Sequence, residues 1–500
     1  MKKDMYNLGL DIGTSSIKAA LVNAKNNKNI SVVQEPIEGM DIKSENKDWA
    51  EQDPNVWWKH TCNAIKRVCK ESNVNPKKIV SIGVAYQMHG LVLVDSNGET
   101  LRDSIIWCDS RAVQIGNDAF KNIGPEKCLS HFLNSPGNFT ASKLKWVKDN
   151  EPKIFEKIYK FMLPGDFIAF KLTGQINTTK NGLSEGIMWD FKDNSPASLI
   201  FNYFDFNPNL MPETVDNFTM QGKVGHDSSK KTGLGVGVPV TYRAGDQPNN
   251  ALSLNVFKKG QTALSGGTSG VIYSLTDFTS VKKNLNINYF AHIDYGEKVK
   301  NIGELTCING AGAMLKWLRN LFGESSYQNM DKIATSAPIG SDQLAVVPFG
   351  NGSERILDNQ NIGGHFSKIN LNKHTKSQFF RSTIEGIAFS FVYAMGSTQK
   401  NNSLFKNFKA CNDNLFKSKI FSETIATLTG KEIEIYNTTG ALGAARASNI
   451  INDGVEKTIK KSIKNDYVKS FLPLKDKNEY EEAYLKWKKN LENLKKVNYE

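Results

Sequence analysis

Short apolar runs with period two alternate with longer stretches of helical period along this chain, which predicts an α/β protein. Residues 6–10 are apolar, Asp11-Ile12-Gly13-Thr14-Ser15-Ser16 predicts a turn, and residues 17–22 are apolar again. The chain therefore opens as strand, turn, strand. Asp53-Pro54 predicts a helix start, with a capping carboxylate followed by proline where its missing N–H costs nothing. Trp57, Trp58, Ile65, Val68 and Cys69 follow at helical spacing. Residues 79–84 read as a buried strand and 91–94 as another, ending in the turn Asp95-Ser96-Asn97-Gly98. From about Lys475 onward Glu, Lys and Tyr recur with helical period, predicting one surface helix over 479–495 with a solvated charged face.

The opening pattern has an echo. Gly13-Thr14-Ser15 returns as Gly267-Thr268-Ser269, 254 residues later, again between apolar runs (262–264 and 271–273). A Gly-Thr-Ser turn is common, and one copy alone means little. Two copies half a chain apart predict two related domains, each opening on a glycine-turn hairpin. They are expected to cover 1–243 and 244–500, with Gly233-Leu234-Gly235-Val236-Gly237-Val238-Pro239 as the connection.

Composition narrows the function classes. Five hundred residues predict about two to four domains. With 39% hydrophobic and 23% charged residues the chain is globular rather than disordered. Its net charge of +12 comes mostly as Lys interleaved with Asn, a solvated surface rather than a nucleic-acid stripe. Six cysteines form no Cys-x-x-Cys pair and no metal-ligand spacing, as expected of reduced thiols in a cytoplasm. Asp11 and Gly13 interrupt the first apolar run, so no signal peptide is expected, and no run reaches the ~20 apolar residues of a spanning helix. Neither nucleic acid nor membrane is expected as a partner; a homodimer is left open.

Successive N–H groups in a glycine turn form an anion-binding concavity, and hydroxyls add donors. Gly13, Thr14 and Ser15 are thus candidate phosphate contacts, with Lys18 in reach of a phosphate or pointing to solvent. Asp11 at the strand end is either a turn residue or a carboxylate that holds Mg2+ through water. Gly267, Thr268 and Ser269 would grip a nucleoside triphosphate from the other side. There is no Gly-x4-Gly-Lys-Ser/Thr loop, so a kinase of this sequence is not a P-loop one. Asp246, where an apolar run gives way to a helix, reads as an N-cap or as a general base for a sugar hydroxyl. Gln87-Met88-His89-Gly90 offers groups to orient sugar hydroxyls and an apolar wall. Asp109 and Arg111 read as a hydroxyl clamp or as a surface ion pair.

At these residues, and over about 6–450, the chain resembles the FGGY family of carbohydrate kinases. Asp11-Ile12-Gly13-Thr14-Ser15 resembles the family's first phosphate motif, residues 265–270 the second, and Gly245-Asp246 the catalytic motif. Trp49-Ala50-Glu51-Gln52-Asp53-Pro54 and Gln87-Met88-His89-Gly90 resemble the versions found in members acting on D-xylulose. Lys143-Leu144-Lys145-Trp146-Val147 resembles part of the first family signature, and Gln378-Phe379 with Ser382-Thr383-Ile384-Glu385 the end of the second. Gly440-Ala441-Leu442-Gly443-Ala444-Ala445 resembles a late glycine–alanine helix start.

The resemblance implies two actin-like (ribonuclease-H-like) α/β domains around a central cleft, ATP with Mg2+, and phosphorylation of D-xylulose to D-xylulose 5-phosphate. Asp246 would accept the proton, Asp11 would act near the metal, and Met88, His89 and Gln247 would lie at the sugar. Gly267, Thr268 and Asn412 would face the nucleotide. The family's glycine-rich adenine-side segment stands here as Lys409-Ala410-Cys411-Asn412-Asp413-Asn414, without glycine, and Cys108 replaces the usual Asn. Other readings are a kinase for ribulose, fuculose, gluconate or glycerol, an actin-like nucleotide switch, or a silent sugar sensor.

Overall fold

The computed structural model describes residues 4–282, 284–398 and 405–497. Two mixed sheets carry the chain. In the first, Tyr6–Ile12 is antiparallel to Ile17–Asn23, which pairs with Asn29–Glu35. On its other side it runs parallel to Ile79–Tyr86, which is parallel to Pro239–Gly245. The second sheet repeats this order. Gln261–Gly266 is antiparallel to Gly270–Asp277, which pairs with Asn301–Ile308. Its other neighbour is the parallel strand Asn407–Cys411, followed by Ile433–Tyr436. The echo in the sequence is therefore a repeated topology of the ribonuclease-H-like kind, and both Gly-Thr-Ser segments are hairpin turns.

Parallel strands need cover on both faces. Pro54–Glu71 covers one face of the first sheet. Asp53 caps it by accepting the Asn55 N–H at 2.8 Å, and Trp57, Ile65 and Val68 are buried beneath. The other face is covered by Gly440–Ala447, from the far end of the chain. This helix comes so close that a Cβ on Gly9 would lie 1.9 Å from the Ala441 carbonyl oxygen, and one on Gly83 2.1 Å from that of Ala444.

Two expectations need correction. A division after residue 243 would cut the strand Pro239–Gly245, which belongs to the first sheet and is followed by the helix Asp246–Ser253. The glycine-rich stretch 233–239 does not lead out of the first half, because it joins the helix His226–Thr232 to that same strand. Turn chemistry reads alike within and between bodies; the strand's partner, 158 to 159 residues earlier, is what decides. The last helix, Lys477–Lys495, is the expected surface helix with a solvated charged face. Ala483, Trp487 and Leu491 on its other face are buried in the second core, and the Trp487 indole donates to the Val346 carbonyl at 2.7 Å.

The halves also touch at a sheet edge. Asn288–Ala291 ends the second sheet, and its outer main chain is paired by side chains of the first half. Asn134 accepts from the Tyr289 N–H (2.9 Å) and donates to its carbonyl (2.6 Å), and Ser184 accepts from the Ala291 N–H (2.9 Å). An edge is capped in this way instead of being left open. No helix among the described residues is long and apolar enough to cross a membrane.

Candidate active site

Strand direction assembles the site. Tyr6–Ile12, Ile79–Tyr86 and Pro239–Gly245 are parallel, with Ile12 and Gly245 both in register with Tyr86. Their C-terminal ends thus deliver Asp11, Gln87-Met88-His89 and Asp246 to one edge, where α/β sheets bind ligands. The helix Gly440–Ala447 closes on the same spot. A Cβ on Gly440 would lie 2.5 Å from Asp11 Oδ2, so glycine is required beside that carboxylate.

Burial, then the negative charge of Asp11, push the Asp246 carboxyl up to about 7, against hydrogen bonds from Gln247. A carboxylate poised there is a stronger base than an exposed one and still ionises near neutrality. Asp11 is itself raised by burial and eased down by Lys18, its cross-strand partner. Lys18 is half-buried, and its charge also acts on Cys411 and Asp413 of the second half. Asp11 offers hard oxygen donors beside a second carboxyl and a glycine, a set that fits Mg2+.

At the other wall Met88 is buried against Gly245, where a Cβ would lie 2.5 Å from its Cγ. His89 packs edge-on against Phe139 at 4.8 Å and lies 5.3 Å from Phe290 of the second half. Its imidazole is pushed down to about 3 by burial and by Lys143, and is neutral. The Lys143 ammonium is buried and donates to the carbonyls of His89 and Ile106, both at 2.9 Å.

Gln87 is placed differently from expectation. It is buried, accepts from the Thr14 hydroxyl at 2.9 Å and donates to Gln52 at 3.2 Å. Thr14 in turn accepts from the Trp107 indole at 2.9 Å. Both side chains therefore brace the first hairpin against the loop that follows Ile79–Tyr86, and the Thr14 proton is already committed. Asp109 and Arg111 form a buried ion pair rather than a surface one. Asp109 is buried and takes the Ala50 N–H (2.6 Å) and the Arg111 guanidinium (2.7 Å). Arg111 also meets Glu51 at 2.7 Å and lies over the Trp49 ring at 3.7 Å. Asp109 also accepts the Arg111 main-chain N–H at 3.0 Å, so its carboxylate holds the Arg111 loop to the Ala50 segment.

The second hairpin borders a cavity of about 330 Å³ lined by Gly267, Thr268, Gly312, Lys316, Tyr327 and Leu415, among others. Gly312 must be glycine, since a Cβ would lie 2.0 Å from the Gly267 carbonyl oxygen. The Ala313 N–H holds the Thr268 carbonyl at 2.9 Å. Buried Glu354 fixes the start of the same helix, Ala311–Leu321, by accepting the N–H groups of Asn309 (3.0 Å) and Gly310 (2.9 Å). Ser269 and Asn412 stand outside that lining; Asn412 donates to Asn437 at 2.9 Å at the end of its strand. Ser15 is exposed, and its carbonyl takes the Met40 N–H at 2.8 Å. Gly13 closes the first turn by donating to the Ser16 carbonyl at 3.0 Å.

Two residues beside Met88 and His89 carry no assigned role in the sequence reading. Lys143 had a readable signal, a lysine on a helix stripe otherwise made of Thr140, Leu144 and Val147. Glu185 had none: it ends the short helix Lys180–Glu185 and is 1% exposed beside Gly245.

The model of the FGGY family of carbohydrate kinases, N-terminal domain, matches residues 6–253, which places the end of that unit after the helix Asp246–Ser253. The chain is 30% identical over 384 residues to the xylulose kinase of Staphylococcus epidermidis, covering 77% of this chain and 75% of that one. It is 27% identical over 449 residues to the xylulose kinase of Staphylococcus xylosus, covering 86% and 89%. Among solved structures, the xylulose kinase of Rhodospirillum rubrum superposes with a TM-score of 0.86 at 23% identity, covering 98% of this chain and 99% of that one.

Proposed function

The chain belongs to the FGGY family of carbohydrate kinases, and we propose that it transfers the γ-phosphoryl group of ATP to the 5-hydroxyl of D-xylulose. The observation that carries this reading is the convergence of Asp246, Asp11, Met88 and His89 at the C-terminal edge of three parallel strands, with Gly440 packed on Asp11 and Gly245 on Met88. Identity of 25–30% to curated xylulose kinases over most of the chain supports the substrate. The hydroxyl oxygen forms a bond to the γ-phosphorus while the bond from that phosphorus to the bridging oxygen breaks. The proton goes to Asp246 and ADP leaves with the electron pair. Gly267 and Thr268 receive the phosphates by main-chain and hydroxyl donors, and the neighbouring cavity takes the nucleoside. Lys18 supplies positive charge from the first half. Asp11 would hold Mg2+, which when bound neutralises phosphate charge.

The test is mass detection of product after incubation with ATP, Mg2+ and a panel of D-xylulose, ribulose, fuculose, gluconate and glycerol. D-xylulose 5-phosphate formed with the highest kcat/KM is the expected result. A higher value for another acceptor reassigns the substrate, and sugar binding without any product makes the protein a sensor.

A further inference from the structure

Glu185 takes hold of His89 at two points. Its main-chain oxygen lies 2.8 Å from His89 Nδ1, and its Oε1 lies 3.4 Å from the His89 main-chain nitrogen. A carbonyl oxygen only accepts, so Nδ1 must carry a proton. In a neutral ring the lone pair is then at Nε2. His89 sits at φ 63°, a left-handed conformation that a non-glycine residue keeps only when its surroundings hold it there. The second oxygen, Oε2, is buried, and the Tyr86 hydroxyl acts on the carboxyl as a hydrogen-bonding neighbour. A Cβ on Gly245 would lie 2.4 Å from it, so the carboxyl rests on the main chain directly ahead of Asp246. Tyr86, Asp166 and Asp246 are the titratable groups that face it, Asp166 being paired with Arg243 at 3.1 Å. Lys143 and Arg355 act on His89 from the other side, and Tyr273 approaches from the second half.

We propose that Glu185 is a positioning residue of the sugar site, clamping His89 with Nδ1 protonated so that Nε2 is presented to accept a hydrogen bond from a substrate hydroxyl. This rests on reading the Met88–His89 wall as the sugar end. Burial and the negative charge of Asp246 push the Glu185 carboxyl well above the usual carboxylate range. A glutamine has the same shape and can accept at the same position, so it is the conservative replacement.

Two measurements on the full chain test this. In ¹⁵N-histidine NMR, with His89 assigned by its absence from His89→Gln, the wild-type ring should show the Nδ1–H tautomer, unchanged from neutral pH down to about pH 5. An Nε2–H tautomer or an imidazolium at neutral pH overturns the proposal. In kinetics, Glu185→Gln should keep kcat/KM within about threefold, while Glu185→Ala raises the sugar KM roughly tenfold or more and leaves the ATP KM alone. Loss in the glutamine variant equal to that in the alanine variant, or an unchanged sugar KM in the alanine variant, overturns it as well. The tautomer is read without turnover, so it decides the clamp even if the wild-type protein proves to phosphorylate no ketopentose.

Discussion

Gly9 and Gly83 are direct partners in the parallel ladder of the first sheet, and the helix Gly440–Ala447 lies on the hollow that the pair leaves. A side chain at either position would strike main-chain atoms, which cannot swing aside as a flexible side chain does. The seam between the halves therefore depends on two missing methyl groups. Gly83→Ala is expected to destabilise by about 3 kcal/mol, the upper end for overpacking. The same change at Gly396, where a Cβ meets nothing within 4 Å on the helix Lys376–Thr398, should be neutral or stabilising by up to about 1 kcal/mol. Denaturant unfolding of the two variants side by side checks the contrast, and equal midpoints would refute it.

Burial and the charge of Asp11 push the Asp246 carboxyl toward neutrality. Its carboxyl stands at about 7, and a base must be deprotonated to accept a proton. As pH falls through that value the competent fraction falls, so log kcat/KM should drop with unit slope on the acid side and level off above it. Asp246→Asn should lower kcat by about 10²–10⁴-fold with sugar affinity little changed. Asp11 contributes to the raised value through its charge, so in Asp11→Asn the residual activity should have its acid limb moved to lower pH. Steady-state kinetics across the pH range gives all three results, and near-normal turnover in Asp246→Asn removes this residue as the base.

Local signals made the hairpins and the base legible. A glycine turn between apolar runs announces itself within ten residues, and Asp246 marks a strand-to-helix switch that needs no distant partner. What the sequence concealed lies in pairings between distant residues. Gln87 reads as a sugar ligand until Thr14, 73 residues earlier, is seen to donate to it. Asp109 and Arg111 look like a surface pair until Trp49 and Trp146 close over the guanidinium. Glu185 on a six-residue helix has neither period nor motif, and only the approach of Gly245 shows where its carboxyl sits. The end of the first unit was misread for the same reason, since 239–245 joins its sheet by pairing with 79–86.

Arg446 extends the seam into the second half. Its guanidinium is buried on Gly440–Ala447 and meets the buried carboxylate of Asp466 at 2.9 Å. Burial raises the Asp466 carboxyl, and Arg446 draws it back down. Removing one partner strands the other charge away from water, which costs about 3–5 kcal/mol. Asp466→Ala should therefore destabilise more than the double variant with Arg446→Met, in which no charge is left unpaired. A double-mutant cycle read by thermal unfolding gives the comparison; a double variant at least as unstable as Asp466→Ala contradicts it.

Trp107 offers a spectroscopic handle on the first hairpin. Its ring is half exposed, and its indole N–H donates to the Thr14 hydroxyl, which donates on to Gln87. A ligand that draws in the Gly13-Thr14-Ser15 turn must move that hydroxyl and with it the field at the indole. Binding of ATP with Mg2+ should thus change Trp107 emission, and Trp107→Phe should abolish that part of the signal. Thr14→Val keeps the shape but removes both hydrogen bonds, at a cost of about 1–3 kcal/mol for the unpaired Gln87 oxygen. In that variant the coupling from nucleotide to indole should be lost, while the second hairpin and its cavity still bind nucleotide with weakened affinity. Fluorescence titration of the three proteins decides the matter. An unchanged emission response in Thr14→Val would mean that the indole senses the nucleotide by some route other than this hydroxyl.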